Sequence, residues 1–243
     1  MTYHNRHECK FVVPETVAGA VLARAAAFVE PDPNARTRPG HSYPIASLYL
    51  DSAAHALQQE TIDGRSERYK LRIRSYGDAP EQPVFLEIKS RADRIVHKQR
   101  CPLPRHLLGP FLRGQVHDLP GLRHAERQTL DEFVRRMILR RALPACKVRY
   151  ERQAYMGRGD HEVRVTVDRQ LMAIQELGPV LLLQDPRYRP VPVPGVVIEL
   201  KFTDRCPNWL GDIIRSLDLR RRSFSKYSTC MAALAKPTRV VSP

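Results

Sequence analysis

The segment Val196–Phe202 alternates apolar residues with a carboxylate and an ammonium, and this alternation strongly limits the folds open to the chain. Successive side chains of a β-strand point to opposite faces of a sheet, so Glu199 and Lys201 share one face while apolar residues share the other. Residues 6–10 and 84–89 repeat the arrangement, with a glutamate two residues before a lysine. Three such strands predict a sheet with one charged face and one apolar face.

A fourth predicted strand, Tyr69–Arg74, carries three cations on one face. Lys70, Arg72 and Arg74 lie two residues apart, so they repel each other unless solvent or an anionic partner offsets the repulsion. One interpretation is the solvated face of an amphipathic antiparallel sheet. Such faces recur over six predicted strands, however, which favours one continuous charged surface, such as the interior of a barrel whose apolar faces lie outward under helices.

The pattern of strands and helices is typical of an antiparallel fold. β-branched content, alternation and bounding Pro or Gly predict strands near residues 4–13, 45–51, 67–76, 83–90, 94–101, 146–156, 162–168, 171–176, 179–184 and 195–203. Helices are predicted over residues 14–30, 53–62, 122–142, 207–217 and 223–235. Because helices are inserted singly between short connections, we predict an α+β fold with an antiparallel β-barrel of about eight strands and covering helices. We predict a single domain over residues 1–243.

The composition indicates a folded, cationic protein. The 243 residues are 42% hydrophobic, which is enough for a substantial core. Lys and Arg number 40 against 26 Asp and Glu, so the net charge of +14 favours polyanionic partners. No apolar run is long enough to span a bilayer and no secretion signal opens the sequence, so we expect a soluble, cytoplasmic protein. The five cysteines form no Cys-x-x-Cys pair, which predicts reduced structural thiols.

The charged residues favour phosphate chemistry. Arginine forks match phosphate oxygens bidentately, and lysines supply point charges along a phosphate chain. The few carboxylates on the same faces are suited to Mg²⁺ or Mn²⁺, hard cations that bridge carboxylates and phosphate oxygens. Phosphoryl transfer requires this combination of positioning and charge neutralisation. Two basic groups outside these strands, Arg135–Arg141 and Arg220–Arg222, are interpreted as solvated faces, with guidance of a polyanion or contact with acidic lipids as alternatives.

Eight short charged motifs follow one another along the chain. They are Arg-x-Glu-x-Lys at 6–10, Tyr-Lys-x-Arg-x-Arg-x-Tyr-Gly at 69–77, Phe-Leu-Glu-x-Lys at 85–89, Lys-x-Arg at 98–100, Tyr-x-Arg at 150–152, Arg-Val-Thr-x-Asp at 164–168, Ile-Glu-x-Lys at 198–201 and Ser-Phe-Ser-Lys-Tyr at 223–227. Together they resemble the VTC domain, the polyphosphate polymerase branch of the CYTH-like triphosphate tunnel metalloenzymes. The resemblance covers residues from about His4 to Ala235. It implies a barrel with a tunnel, ATP or another triphosphate as phosphoryl donor, and inorganic polyphosphate as product.

The resemblance also implies roles for individual residues. The implied catalytic and phosphate-binding residues are Lys10, Arg72, Arg74, Lys89, Lys98, Tyr150, Arg152, Arg164, Lys201 and Lys226. Substrate contacts are predicted for Lys70, Arg100 and Ser225. Glu199 is the implied ligand of Mn²⁺ or Mg²⁺, with Glu8 and Glu87 as further candidates. Alternation alone leaves open which face of the strand around Tyr150 carries the site, and the resemblance favours the face with Tyr150 and Arg152.

Three functional hypotheses remain at this point. The first is a metal-dependent polyphosphate polymerase, and the hydrolytic members of the superfamily differ from this chain because they carry a glutamate where Arg6 stands. The second is a tripolyphosphatase or nucleoside triphosphatase in which Glu8 or Glu87 orients water. The third is a basic module that binds polyphosphate or nucleic acid without catalysis. Nucleic acid is not expected, because no aromatic stacking strand accompanies the charges.

Overall fold

The computed structural model describes residues 6–92, 95–116, 118–159, 162–175 and 178–235. In chain order its strands are β1 (Arg6–Val13), β2 (Val29–Pro31), β3 (Ser42–Asp51), β4 (Arg68–Ser75), β5 (Val84–Ala92), β6 (Ile95–Leu103), β7 (Leu143–Gly157), β8 (Arg164–Ile174), β9 (Arg189–Pro190) and β10 (Val196–Thr203). Its α-helices are α1 (Glu15–Ala25), α2 (Ala56–Ile62), α3 (Leu108–Leu112), α4 (His124–Arg140), α5 (Asn208–Ser216) and α6 (Lys226–Leu234). In the part of the chain so described, no helix is long and apolar enough to cross a membrane.

The chain forms two compact units. The described residues of the first unit fall within Met1–Pro44, Tyr150–Leu171 and Pro192–Ser225. Those of the second unit fall within Ile45–Arg149, Met172–Val191 and Lys226–Pro243. Strands β3, β7 and β8 contribute residues to both units.

In the first unit, the strands are antiparallel and follow the order β1, β10, β8, β7, with β2 paired to β7. The apolar faces of these strands, represented by Phe11, Val165 and Leu200, are buried. They belong to one hydrophobic cluster with α1 and α5, which contribute Val21 and Leu210. Because neighbouring residues alternate in direction, the same packing turns the polar residues of each strand to the opposite face.

In the second unit, β3, β4, β5 and β6 form an antiparallel series beside the first half of β7. Leu71, Ile73, Leu86 and Ile88 are completely buried on one face of this series. Helix α4 covers that face with residues three and four apart, including Phe133, and so forms one core with the strands.

The predicted α+β class, the antiparallel sheet and its accompanying helices are confirmed. Eight strands lie on the main hydrogen-bonded path, which begins at β1 and ends at β6. The predicted strand over 179–184 is wrong, because this segment has no regular pairing and instead packs Leu181 and Leu183 into the core of the second unit. The closure of the strands around a tunnel, and the single domain, stay predictions.

Strand β8 is continuous where two strands are predicted. The predicted boundary falls between residues 168 and 171, and Gln170 there adopts a left-handed backbone conformation with a φ of 50°. A bend of this kind interrupts the alternation of side chains without ending the hydrogen-bonded strand, which explains why the pattern indicates two strands.

We predict that Gly195→Ala destabilises the first unit. Gly195 has a φ of 122°, and a Cβ atom there would lie 2.1 Å from the backbone oxygen of Val13. We expect the free energy of unfolding, measured by urea denaturation, to fall by at least about 2 kcal/mol. Gly19→Ala is the matched control: Gly19 lies in α1 with nothing within 4 Å of the new methyl group, so stability should rise by about 0.5–1 kcal/mol. Equal effects of the two substitutions would contradict this prediction.

Candidate functional site

The polar face of the first unit gathers charged residues from four strands. The antiparallel register sets Lys10 of β1 opposite Glu199 of β10, and Glu199 opposite Thr166 of β8. Directly opposed residues point to the same side of a sheet, so these side chains share one surface. We call this surface the first charged face. Its members are Glu8, Lys10, Arg152, Arg164, Thr166, Asp168, Glu199 and Lys201.

Glu199 is the centre of the first charged face. Its carboxylate lies 3.3 Å from Arg152 Nη2, 3.4 Å from Lys201 Nζ and 3.7 Å from Lys10 Nζ. The residue is only 6% exposed, so these cations surround a nearly buried charge. One carboxylate thus lies beside three cations that come from β1, β7 and β10.

Arg152 is fixed by a second carboxylate. Its Nε and Nη2 atoms each donate to Asp168 at 2.7 Å, which is a bidentate pair between two buried residues. Burial acts to lower the pKa of Arg152, but the Asp168, Tyr150 and Glu199 groups outweigh it and hold that pKa well above its ordinary value. The guanidinium also lies 5.3 Å from the Tyr150 ring centroid. Arg152 therefore faces the charged surface, the side that the resemblance favours.

Two partners of this face, one side chain and one backbone carbonyl, are not predicted from the sequence. Arg164 donates from Nη2 to Asp32, a buried residue in the loop that follows β2. Lys10 Nζ donates to the carbonyl oxygen of Phe224 at 3.1 Å. Ser225 comes directly after this carbonyl. The only sequence signal for Asp32 is a lone acidic residue in a proline-containing loop, which is too weak to predict its role.

The polar face of the second unit is built around Glu87, which is completely buried. Arg72 donates from Nε to Glu87 Oε2 at 2.8 Å, and Lys98 Nζ lies 2.8 Å from Oε1. Arg74 Nε lies 3.8 Å from Oε2 and Arg100 Nε lies 3.4 Å from Oε1. We call this surface the second charged face. Its members are Lys70, Arg72, Arg74, Glu87, Lys89, Lys98 and Arg100.

Three lysines of the second charged face lie in register. Lys89 of β5 is opposite Lys70 of β4 on one side and opposite Lys98 of β6 on the other. Like charges placed directly opposite each other destabilise a sheet. This row is therefore a feature that a bound anion would stabilise.

The concentrated charge shifts the pKa values of the groups in this face. Burial acts to raise the pKa of Glu87, but Arg72, Arg74 and Lys98 outweigh it and hold the pKa far below its ordinary value. Burial, together with the same two arginines, lowers the pKa of Lys98 to about 8, although Glu87 acts to raise it. Glu87 is thus ionised under all ordinary conditions, whereas Lys98 loses its charge as the pH rises through about 8.

Tyr76 and Phe85 lie beside Arg100 of the second charged face. Burial acts to raise the pKa of Tyr76, but Arg74 and Arg100 lower it to about 8 despite the charge of Glu87. The Arg100 guanidinium lies 3.6 Å from the Phe85 ring centroid and 5.2 Å from that of Tyr76. These rings hold the guanidinium in place by cation–π contacts.

Lys226 begins α6 in the second unit. The next residue, Tyr227, donates its hydroxyl to Asp51 at 2.8 Å and stacks on Tyr49 with ring centroids 4.7 Å apart. Tyr49 in turn accepts a hydrogen bond from Arg72. The first turn of α6 is therefore attached to β3 and to the second charged face.

The structure distributes the predicted site residues between the two units. The first unit contains Glu8, Lys10, Tyr150, Arg152, Arg164, Glu199, Lys201 and Ser225. The second unit contains Lys70, Arg72, Arg74, Glu87, Lys89, Lys98, Arg100 and Lys226. The roles implied for these residues stay predictions.

The first charged face fits a divalent cation better than the second. Thr166 lies opposite Glu199 in the sheet. Its Oγ1 atom is buried and has no hydrogen-bond partner in the described part of the chain. Glu199 and Glu8 add carboxylates on the same face, and Mg²⁺ commonly takes one or two carboxylates and completes its shell with water and phosphate oxygens. Among the named members of the second charged face, by comparison, Glu87 is the one carboxylate, and four cations surround it. Over the described ranges, no group of three or more His, Cys, Asp or Glu residues is arranged to hold a metal alone.

Comparisons with known proteins give one curated relative and several similar folds. Vacuolar transporter chaperone complex subunit 4 of Schizosaccharomyces pombe is 27% identical over 152 residues, which are 56% of this chain and 21% of that protein. The chain thus spans about a fifth of this relative's length.

Two solved structures resemble the fold over most of the chain. A putative adenylate cyclase from Bacillus halodurans has a TM-score of 0.50 at 10% identity and covers 91% of this chain and 95% of its own. A putative adenylyl cyclase from Hippeastrum, described as having a dominant triphosphatase activity, has a TM-score of 0.49 at 14% identity, with 93% and 94% covered.

The family comparison agrees with the resemblance inferred from the eight motifs. The family model described as VTC domain matches residues 5–235, which is nearly the whole chain. The protein therefore belongs to the VTC domain family.

Proposed function

We propose that the protein is a divalent-metal-dependent polyphosphate polymerase, which transfers the terminal phosphate of ATP to a growing polyphosphate chain. The observation that carries the proposal is the second charged face, where Lys70, Lys89 and Lys98 lie in register beside two arginines. A chain of phosphates offsets the repulsion along such a row, whereas a single small anion neutralises only part of it. Membership of the VTC domain family supports the same assignment.

The chain's own residues would act by binding and orienting phosphates. Glu87 holds Arg72 and Arg74 in fixed positions, so their guanidinium groups are organised before substrate arrives. The acceptor phosphate is already an oxyanion, so transfer to it requires no strong general base. Glu199 and Glu8 would hold Mg²⁺ or Mn²⁺, which when bound neutralises charge on the transferred phosphate.

Hydrolysis of triphosphates is the alternative activity, and the exposure of Glu8 supports it. The Glu8 side chain is 19% exposed, so it is accessible to a water molecule, and it lies 3.2 Å from Lys10 Nζ. Glu87 is completely buried and paired with cations, which makes it a poor candidate for orienting water. If the protein hydrolyses triphosphates, Glu8 is therefore the carboxylate that would orient the nucleophile.

We also propose a cytoplasmic location, where ATP is available, and a partnership with ATP and polyphosphate rather than nucleic acid. All five cysteines are free thiols, which is typical of a reducing compartment. We propose in addition that basic residues allow peripheral association with a membrane surface.

The first test is polymer synthesis by the purified protein. Incubation with ATP and Mn²⁺ or Mg²⁺ should yield long polyphosphate, detected by gel electrophoresis, and EDTA should abolish it.

Arg72→Gln should lower kcat/KM at least about 100-fold, because a bidentate phosphate ligand is lost. Arg113→Gln removes an exposed arginine of the second unit whose Nε bonds Gln115, and should leave activity within about twofold. Release of free phosphate without polymer would sink the polymerase proposal.

The second test separates metal binding from water activation. Glu199→Gln should raise the Mn²⁺ concentration needed for half-maximal activity by at least about tenfold, because a charged ligand is replaced by a neutral amide. Glu8→Gln should have a smaller effect on synthesis. If Glu8→Gln instead abolishes phosphate release and polymer is never seen, the hydrolase is the correct activity. Polyphosphate binding that needs no metal and survives Glu199→Gln, without any turnover, would indicate a binding module.

The third test uses the pKa of Lys98. Only the protonated ammonium attracts phosphate, so kcat/KM for ATP should fall as the pH rises through about 8. Lys98→Arg keeps its charge and should remove this decline between pH 7 and 9, as should be visible in a pH–rate profile. Tyr76 also has a pKa of about 8, so Tyr76→Phe is the control and should retain the decline. The reverse pattern would assign the titration to Tyr76.

A further inference from the structure

The segment Leu219–Ser225 lies against the edge of β1 in the first unit. The backbone N–H of Arg222 donates to the Lys10 carbonyl at 2.9 Å, and Lys10 Nζ donates to the Phe224 carbonyl at 3.1 Å. Arg221 Nη2 donates to the Glu8 carbonyl at 3.2 Å. We call this segment the arginine strap. It is therefore attached at the same β1 residues that contribute side chains to the first charged face.

The arginine strap presents three consecutive cations to solvent. Arg220, Arg221 and Arg222 are exposed, while Leu219 is buried in the core of the first unit and anchors one end. Arg220 pairs with Asp218, but both side chains are at least 80% exposed, so water and salt screen the pair. Across the described ranges, Arg221 and Arg222 have no carboxylate partner.

The position of these cations distinguishes them from an ordinary solvated surface. A solvated surface usually mixes charges of both signs, whereas the strap concentrates like charges along a backbone held in place by hydrogen bonds. Neighbouring cations repel each other, and a flexible anion with many charges relieves that repulsion more completely than separate small ions. Arginine also binds phosphate oxygens through a planar fork of donors.

We infer that the arginine strap is a second anion-binding site, which binds phosphate units of a polyphosphate chain beyond those held on the first charged face. The inference rests on the proposed function for the identity of the polyanion. A short phosphate bound on the first charged face has few phosphate units left to contact the strap. Long chains engage both surfaces, so their affinity gains from effective concentration once one part of the chain is bound. The strap thereby favours retention of long chains over short ones.

The test compares the binding of short and long phosphates without ATP. The probes are tripolyphosphate and polyphosphate of about 60 units, titrated into the whole protein and followed by calorimetry. The triple variant Arg220→Gln, Arg221→Gln, Arg222→Gln should weaken binding of the long chain at least about tenfold and reduce its dependence on salt concentration. Its affinity for tripolyphosphate should stay within about twofold of the original protein.

The matched control removes three other exposed arginines of the first unit, by Arg24→Gln, Arg38→Gln and Arg215→Gln. It lowers the net charge by the same amount as the strap variant and should leave the preference for long chains intact. An equal loss of long-chain binding in the control, or an equal loss of tripolyphosphate binding in the strap variant, overturns the inference. The inference is also overturned if the strap variant loses binding to phosphatidylserine vesicles but keeps the polyphosphate affinity of the original protein.

A second readout separates this inference from the proposed activity. If polymer is made from ATP, the strap variant should start synthesis at the original rate but release shorter chains, because long products dissociate sooner. Synthesis with unaltered chain length and unaltered long-chain binding overturns the strap alone. Strap-dependent binding of long chains in a protein that makes no polymer overturns the proposed function alone.

Discussion

A buried carboxylate surrounded by cations is the interaction on which each charged face depends. Glu87 is completely buried and lies within 4 Å of charged nitrogens from Arg72, Arg74, Lys98 and Arg100. Without it, four cations would lie close together on neighbouring strands with nothing to offset their repulsion. Breaking one partner out of such a buried arrangement typically costs about 3–5 kcal/mol. Glu199 has the same place in the first unit, with three cations around one nearly buried carboxylate.

These two carboxylates explain how the protein concentrates positive charge and still folds. The second charged face keeps a large positive excess in this way, with six cations against one carboxylate, whereas the first has four cations against three carboxylates. Cations held in this way need little rearrangement when an anion arrives, which strengthens electrostatic stabilisation of charge that develops during phosphoryl transfer. The apolar cores beneath the helices stabilise the strands that present these groups.

The sequence predicts the faces well because they follow from local geometry. Alternation alone assigns Lys70, Arg72 and Arg74 to one side of β4, and the register with β5 then sets Arg72 opposite Glu87. The partners that sequence reasoning misses are distant in the chain: Asp32 lies 132 residues from Arg164, and Phe224 lies 214 residues from Lys10. The Phe224 contact also uses a backbone carbonyl, which carries no residue-specific signal. The segment 179–184 has the apolar run of a buried strand, although its leucines are buried in an irregular loop. The two cases have the same sequence pattern, so the pattern predicts a strand.

The strict alternation of β10 has a consequence for how such a chain tolerates insertions and deletions. Glu199 and Lys201 face the charged side because Ile198 and Leu200 face the core, and the two sets exchange places if one residue is added or lost within the strand. Such a change would bury two charges under α1 and α5 and remove both from the site at once. We therefore expect β10 to admit only substitutions that preserve the side on which each residue lies, and length changes to fall in the loops beside it.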